Sequence, residues 1–141
     1  MFSKILVPVD GSENSFRALD HAIFLAKTAG ARLSAIHVIE NPPTLYIESQ
    51  NLLNDLLANY RADSAKILDK CKEIADRNGV ELETVMAEGD ATSNIISHAQ
   101  KEGFDLIIIG SRGLGKFKEI ILGSVSNKVL HHARCSVLVA K

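Results

Sequence analysis

Short apolar segments alternate along this chain with longer segments whose apolar residues recur every three or four positions. Short runs rich in β-branched residues are typical of buried strands, and the longer spacing is typical of helices that cover a sheet. The pattern predicts five strands, at residues 4–9, 32–38, 81–87, 106–109 and 136–140. It predicts helices between them, at residues 12–28, 48–78, 92–102 and 124–132.

The alternation of strands and helices predicts a parallel sheet, because each connection between parallel strands needs a crossover. The third strand alternates charged and apolar residues at its start, Glu81 to Glu83, which indicates an edge position. We therefore expect a single α/β domain over residues 1–141, a doubly wound, flavodoxin/Rossmann-like sheet of five parallel strands in the order 3-2-1-4-5, with helices on both faces. This order places Asp10 and Gly110 at one crevice.

Local signals set the expected ends of the elements. Ser12 is a suitable N-cap for the first helix, and Gly30 a suitable stop. The Asn-Pro-Pro sequence at 41–43 begins a loop before the longest helix. That helix carries apolar residues at helical spacing: Leu52, Leu53, Leu56, Tyr60, Ile67, Cys71 and Ile74.

Composition narrows the functional classes. A net charge of -1 provides no bulk attraction for nucleic acid or anionic membranes, and no segment is long enough to span a bilayer. No signal peptide fits the N-terminus, because the first apolar run is short and contains Pro8. Cys71 and Cys135 match no metal or redox spacing, so we expect reduced thiols in a cytoplasmic protein.

The candidate chemistry concentrates after the fourth strand. Gly110 and Gly113 bracket Ser111 and Arg112, and Gly123-Ser124 follows nine residues after Gly113. Glycines let backbone amides approach a ligand closely, and a helix N-terminus directs free N–H groups outward. This combination suits a polyphosphate.

These glycines allow two other interpretations. The spacing from Gly110 to Gly115-Lys116 approaches a Walker A loop, but Phe117 stands where that loop needs Ser or Thr to hold Mg²⁺. Alternatively, Gly110 and Gly113 serve only as turns after a strand, and Gly123 only as a loop residue.

The spacing G-x-x-G, nine residues, G-[ST] resembles the ATP-binding signature of the universal stress protein family. The resemblance spans the whole chain, with KILVPVDGS at 4–12, HVI at 37–39, DLIIIGSRG at 105–113 and CSVLVAK at 135–141. It implies an ATP-binding regulatory or stress-response protein, with Mg²⁺ or Mn²⁺ carried by the nucleotide. The last strand, 136–140, is apolar and lies at the expected edge of the sheet, which favours a homodimer joined through it, and the resemblance implies the same. Alternatively, the chain's own helices cover Val137 and Val139, and the edge stays solvated.

The predicted site divides into a nucleoside end and a phosphate end. Asp10 would accept hydrogen bonds from the ribose hydroxyls, although it would equally suit a loop carboxylate that caps the next helix. The backbone near Val38 would face adenine. The phosphates would be held by Gly113, Gly123, Ser124 and Ser126. By resemblance, the nucleoside pocket also includes Pro8, Val9, Ile109 and Gly110, and the predicted ATP site is completed by Ser111, Arg112 and Val125.

The histidines were considered as ligands. His131, His132 and Cys135 resemble a zinc set, but paired histidines at a helix end are more often cations near its C-terminus. We interpret His37 as a packed strand residue and His98 as solvated. A metal is therefore expected only with the nucleotide.

Three functions follow. The favoured one is a protein that holds ATP and changes conformation or partner with occupancy. The second is a slow ATPase or phosphotransferase using Arg112 or Lys116, for which no base is evident. The third is a nucleotide-free interaction module that uses the dimer surface or residues 44–60. The residues leave ATP, AMP and other adenine nucleotides open.

Overall fold

A computed structural model describes residues 1–40, 48–112 and 122–141. The predicted loop at 41–43 and the predicted glycine-loop residues Gly113, Gly115 and Lys116 lie outside these ranges. Strands and helices alternate as follows: β1 (Lys4–Pro8), α1 (Glu13–Ala29), β2 (Arg32–Ile39), α2 (Gln50–Arg77), β3 (Leu82–Glu88), α3 (Ala91–Lys101), β4 (Leu106–Gly110), α4 (Ser124–His132) and β5 (Ser136–Ala140).

The five strands form one sheet in the order β3-β2-β1-β4-β5, and every pairing is parallel. The central strand β1 pairs on both sides, with Ile5 opposite Leu33 of β2 and Leu106 of β4. The predicted fold class and strand order are confirmed, including the edge position of β3.

Alternating side chains of the sheet supply two apolar layers. Ile5 and Val7 pack with buried residues of α1 and α2, whereas Leu6 packs on the other face with buried residues of α3 and α4. Burying each such aliphatic side chain contributes about 1.5–3 kcal/mol. Because α1 and α4 follow the neighbouring strands β1 and β4 and cover opposite faces, a crevice opens between them at the carboxyl ends of these strands.

The predicted ends of α1 are confirmed. The Ser12 hydroxyl accepts a hydrogen bond from the Ser15 amide at 3.2 Å, as expected of an N-cap. Gly30 ends the helix in the left-handed conformation, with φ of 67°, and its amide donates to the Ala26 carbonyl. The start of α1 is therefore held firmly beside the end of β1.

The predicted apolar residues of α2 all lie in the helix, but those at its N-terminal end are not buried. Leu52 is 65% exposed and Tyr60 is 38% exposed. Burial begins further along, at Ser64, Leu68, Cys71 and Ala75. The reason is length, because 28 residues of helix extend about 42 Å, whereas the eight residues of β2 extend about 26 Å. The first turns of α2 have no strand to cover.

His98 is not simply solvated, which corrects the sequence-based expectation. Its ring lies 5.5 Å from the Phe104 ring, and the side chain is partly buried. His131 and His132 occupy the last turn of α4, the end of a helix at which the dipole attracts positive charge. Among the described helices, none combines the length and the apolar character that a membrane crossing requires.

Candidate functional site

A cavity of about 580 Å³ lies beyond the carboxyl ends of β1, β2 and β4. This position is the one expected for a ligand in an open parallel sheet, where the connections from neighbouring strands diverge to opposite faces. Most of the predicted site residues line it: Pro8, Val9, Asp10, Val38, Ile109, Gly110, Arg112, Gly123, Ser124, Val125 and Ser126. The volume lies within the range of small-molecule sites, about 300–1,000 Å³.

Asp10 both shapes its own turn and lines the cavity. One carboxylate oxygen, Oδ1, accepts a hydrogen bond from the Ser12 amide at 2.9 Å. That bond fixes the turn from β1 into α1, but Asp10 does not itself cap the helix, because Ser12 is the N-cap. Because an ionised carboxylate has about four acceptor positions, the Ser12 bond leaves Asp10 acceptor capacity toward the cavity.

The backbone of Val38 borders the cavity at a gap in the sheet. In a parallel sheet, alternate residues of a strand direct their N–H and C=O groups to the same neighbour. Ile36 faces β1, because its carbonyl accepts a hydrogen bond from the Val9 amide at 2.9 Å. Val38 faces the same side, but the pairing of β1 with β2 ends at Pro8 and Ile36. The Val38 amide and carbonyl therefore lie past the residue where β1 leaves the sheet.

The absence of a side chain at Gly110 has a packing reason that the sequence did not reveal. A Cβ there would lie 2.8 Å from the Asn14 carbonyl oxygen and 2.9 Å from the Asn14 carbonyl carbon. These are backbone atoms in the first turn of α1, so they cannot rotate away. Gly110 thus lets α1 pack closely against the end of β4, in addition to lining the cavity.

Two hydrogen bonds join the two ends of the glycine loop. The Gly123 amide donates to the Ser111 carbonyl at 2.6 Å, and the Ser126 hydroxyl donates to the Gly110 carbonyl at 2.5 Å. Ser111 is buried and does not line the cavity, and its amide donates to the Ala140 carbonyl of β5 at 2.7 Å. Ser111 therefore holds the loop to the sheet, and the hydroxyl proton of Ser126 is already engaged.

The start of α4 faces the same cavity. Gly123 is its N-cap and has no side chain, and no side chain among the described residues caps the helix. The first amides of a helix have no partner within the helix, and they carry the positive end of its dipole. Ser124, Val125 and Ser126 supply these amides and line the cavity. The arrangement favours an anion.

His37 lies in the cavity wall, although its sequence pattern indicated only a packed strand residue. Its Nδ1 atom is 2.6 Å from the Ser64 hydroxyl oxygen of α2. Burial lowers the pKa of His37, and the Asp10 carboxylate opposes this effect in part. The imidazole is therefore neutral at neutral pH.

Further cavity residues were missed by the sequence analysis: Ser15, Ile36, Glu40, Ala91 and Ile95. Topology provides the signal that could have found two of them. Ala91 begins α3 directly after β3, and Ile95 follows one turn later on the buried face. Helix starts in a parallel sheet lie at the carboxyl ends of the strands, where the cavity is.

The chain was compared with known proteins. The model described as "Universal stress protein family" matches residues 1–141. Universal stress protein YxiE of Bacillus subtilis is 37% identical over 148 aligned positions, which cover 100% of both chains. The structure of universal stress protein UspA from Lactobacillus plantarum matches with a TM-score of 0.87 at 26% identity, covering 99% of this chain and 98% of that one.

Two more distant structures share the fold. A universal stress protein in complex with cAMP has a TM-score of 0.76 at 23% identity and covers 99% of this chain and 97% of its own. A family protein from Arabidopsis thaliana with AMP bound has a TM-score of 0.72 at 20% identity, with coverage of 99% and 91%. The family model matches residues 1–141, and the UspA structure covers 99% of the same chain. The chain belongs to the universal stress protein family.

Proposed function

We propose that this chain is a regulatory protein that binds an adenine nucleotide, ATP in the first place, in the cavity at the carboxyl end of the sheet. One observation carries the proposal. A single cavity is lined by the Asp10 carboxylate, by Val38 beyond the last pair of β1 with β2, and by an N-terminus of α4 without a side-chain cap among the described residues. These are the complements of a nucleoside and of a phosphate chain.

At the nucleoside end, Asp10 accepts hydrogen bonds from the ribose hydroxyls, using the acceptor positions that the Ser12 amide leaves open. The Val38 amide and carbonyl bind the polar edge of adenine as a further strand would. Pro8, Val9 and Ile109 supply apolar contacts to the nucleoside. A carboxylate at this end disfavours phosphate there, which sets the direction in which the nucleotide binds.

At the phosphate end, the amides of Ser124, Val125 and Ser126 bind phosphate oxygens, and the helix dipole adds attraction. Ser126 contributes through its amide, because its hydroxyl donates to the Gly110 carbonyl. Arg112 lines the same cavity and supplies positive charge. Gly113, outside the described residues, retains its proposed role as a phosphate contact.

Mg²⁺, or Mn²⁺ in its place, enters with the nucleotide and bridges its phosphates. The described part of the chain contains no group of three or more His, Cys, Asp or Glu side chains arranged to hold a metal. Bridging of phosphates is the usual mode for a cation that keeps much of its water. We therefore propose that the metal strengthens ATP binding but does not bind without it.

The choice of an adenine nucleotide draws support from two relatives of the same fold, whose structures contain cAMP and AMP. We propose ATP within this class, because Ser124, Val125 and Ser126 place several amides and Arg112 a positive charge in the cavity wall, which is more than a single phosphate needs. A slow ATPase is the second candidate, favoured by the presence of Arg112 in the cavity wall. Incubation with ATP followed by separation of products distinguishes turnover from binding.

The decisive experiment is calorimetric titration of the protein with ATP, with and without Mg²⁺, using Asp10→Asn. Asparagine can still accept the Ser12 hydrogen bond, so the turn is kept while the charge is lost. Loss of a charge-assisted hydrogen bond, about 1.5–3 kcal/mol, predicts roughly 13- to 160-fold weaker binding. Asp20→Asn, at an exposed position of α1 outside the cavity, is the matched control.

No heat of binding for the wild-type protein, together with no nucleotide in mass spectra of the purified protein, would refute the proposed function. Equal affinity of Asp10→Asn and wild type would refute the role of Asp10 while leaving nucleotide binding intact.

We further propose a homodimer joined through β5. This strand is at the edge of the sheet, and Val137, Leu138 and Val139 are only partly buried in the isolated chain. An apolar edge of this kind favours pairing with a second chain. Analytical ultracentrifugation should detect a dimer of the wild-type protein and a monomer of Val137→Lys. A wild-type protein that remains monomeric over the whole concentration series would contradict the proposal, because dimer formation increases with protomer concentration.

A further inference from the structure

The side chain of His37 connects the cavity to α2. On β2, Leu33 and Ala35 belong to the apolar layer shared with α1 and α2, so His37 lies on that same face by alternation. Its ring nevertheless lines the cavity. The 2.6 Å contact between His37 Nδ1 and Ser64 Oγ is thus a direct link between the cavity wall and a helix that does not line the cavity.

Ser64 is placed where α2 first meets the sheet. It is fully buried, whereas the residues that precede it in the helix are exposed or only partly buried. The exposed ion pair between Arg61 and Glu88, at 2.7 Å, is a second contact at the same level. Exposed ion pairs contribute little, so the partly buried His37–Ser64 hydrogen bond is the stronger constraint there.

This hydrogen bond restricts rotation of the imidazole, because a ring that turns away from Ser64 loses its partner. The contact does not by itself fix the tautomer, because a serine hydroxyl can donate a hydrogen bond to a ring nitrogen or accept one from it. A ring with a fixed orientation presents one defined surface to a ligand. Without Ser64, the same ring would sample other rotamers.

We infer that His37 is a positioning residue for the nucleoside and that Ser64, which does not touch the cavity, controls nucleotide affinity by holding it. The inference rests on the proposed function. The position of α2 and nucleotide binding then depend on each other. Displacement of α2 at Ser64 weakens nucleotide binding, and occupancy of the cavity strengthens the packing of α2 on the sheet. The link is reciprocal, as any coupling of two binding equilibria must be.

The test is a double-mutant cycle in nucleotide affinity with Ser64→Ala, His37→Phe and the double variant. Affinities for ATP and for adenosine are measured by calorimetry, and stability by urea unfolding. A net hydrogen bond of about 0.5–1.5 kcal/mol predicts roughly 2- to 13-fold weaker binding by each single variant. The double variant should bind no more weakly than His37→Phe, because both changes remove one interaction.

Adenosine identifies the end of the cavity that is affected. Ser64→Ala should weaken adenosine and ATP by the same factor, because the phosphates take no part. Cys71→Ala is the matched control, since Cys71 is fully buried two turns further along the same face of α2 and does not line the cavity. It should lower the urea concentration at which the protein unfolds, because the change leaves a cavity in the core. It should leave both affinities unchanged.

The outcomes are distinct. Wild-type protein that binds ATP, with Ser64→Ala binding within twofold of it, would overturn the inference alone. Equal weakening by Cys71→Ala would also overturn it, because general loosening of α2 would then explain the loss. Wild-type protein that binds no adenine nucleotide would refute the proposed function, and the inference with it.

Discussion

Replacement of Gly110 by alanine tests whether this glycine is required by packing or by a ligand. The new Cβ would lie 2.8 Å from the Asn14 carbonyl oxygen, whereas ordinary contact begins at 3.4 Å. The first turn of α1 would therefore have to move by about 0.6 Å, the difference between these distances. That turn is fixed by the Ser12 cap and by the buried residues Ser15, Ala18 and Leu19. Overpacking of this kind costs about 1–3 kcal/mol.

Thermal unfolding followed by circular dichroism measures this cost. With an unfolding entropy of about 2.1 cal/mol/K per residue, 1–3 kcal/mol lowers the melting temperature by roughly 3–10 °C. Gly30→Ala is the control for loss of a glycine without a clash, because a Cβ at Gly30 has nothing within 4 Å. Its left-handed φ of 67° alone should cost about 1–2 kcal/mol.

Nucleotide titration of the same variants separates the two explanations. If packing governs, Gly110→Ala loses stability before any ligand is added, and Asn14→Ala does not restore it, because the nearest atoms are backbone. If Gly110→Ala unfolds like the wild-type protein but no longer binds ATP, the packing argument is refuted and the glycine serves the ligand directly.

Three further predictions concern ionisable groups. Burial raises the pKa of Cys71 to about 11. Iodoacetamide at pH 8 should therefore label this thiol only as fast as the protein unfolds, and labelling at the rate of a free peptide thiol would contradict the prediction. Partial burial tends to raise the pKa of Asp105, but hydrogen bonds from Ser3 and Lys4 outweigh it and hold this pKa below its usual value. Asp105→Asn should therefore reduce the free energy of unfolding at pH 7 by roughly 1 kcal/mol, a difference that disappears as the pH falls below about 3.9 and through the folded pKa. Burial also lowers the pKa of His37, despite Asp10, so folding favours the neutral ring. The free energy of unfolding should decrease as the pH falls through about 6.5, and His37→Phe should flatten that part of the curve; an unchanged slope would show that other groups cause it.

The local pattern of apolar and polar residues was sufficient to predict the strands, the helices and the order of the strands in the sheet. The unbroken apolar run Leu106 to Ile109 can be satisfied only by cover on both faces, which predicted a buried parallel strand. The charged alternation of β3 predicted an edge in the same way. The cap at Ser12 depends on residues within one turn of each other, so a single stretch of sequence contains all of its partners. Connection rules then left one economical strand order, which the structure has.

Contacts between segments far apart in the chain could not be predicted from the sequence and are seen only in the tertiary structure. The periodicity of α2 continues through Leu52 and Tyr60, and only the structure shows at which residue of the helix burial begins. The packing of Gly110 on Asn14 and the bond from His37 to Ser64 join residues far apart in the chain.

The sequence by itself determined the alternation of strands and helices, and so the end of the sheet at which a site forms, because side-chain periodicity is a local property of the backbone. Only the tertiary structure decided which side chains at that end are already engaged with one another and which face the cavity. Ser111, Ser126 and Asp10 have similar polar character in the sequence, yet the first is buried, the second donates its proton to Gly110, and the third lines the cavity with acceptor positions to spare. Hydrogen-bond partners depend on distances of a few tenths of an ångström, and these are set by the packing of the whole fold.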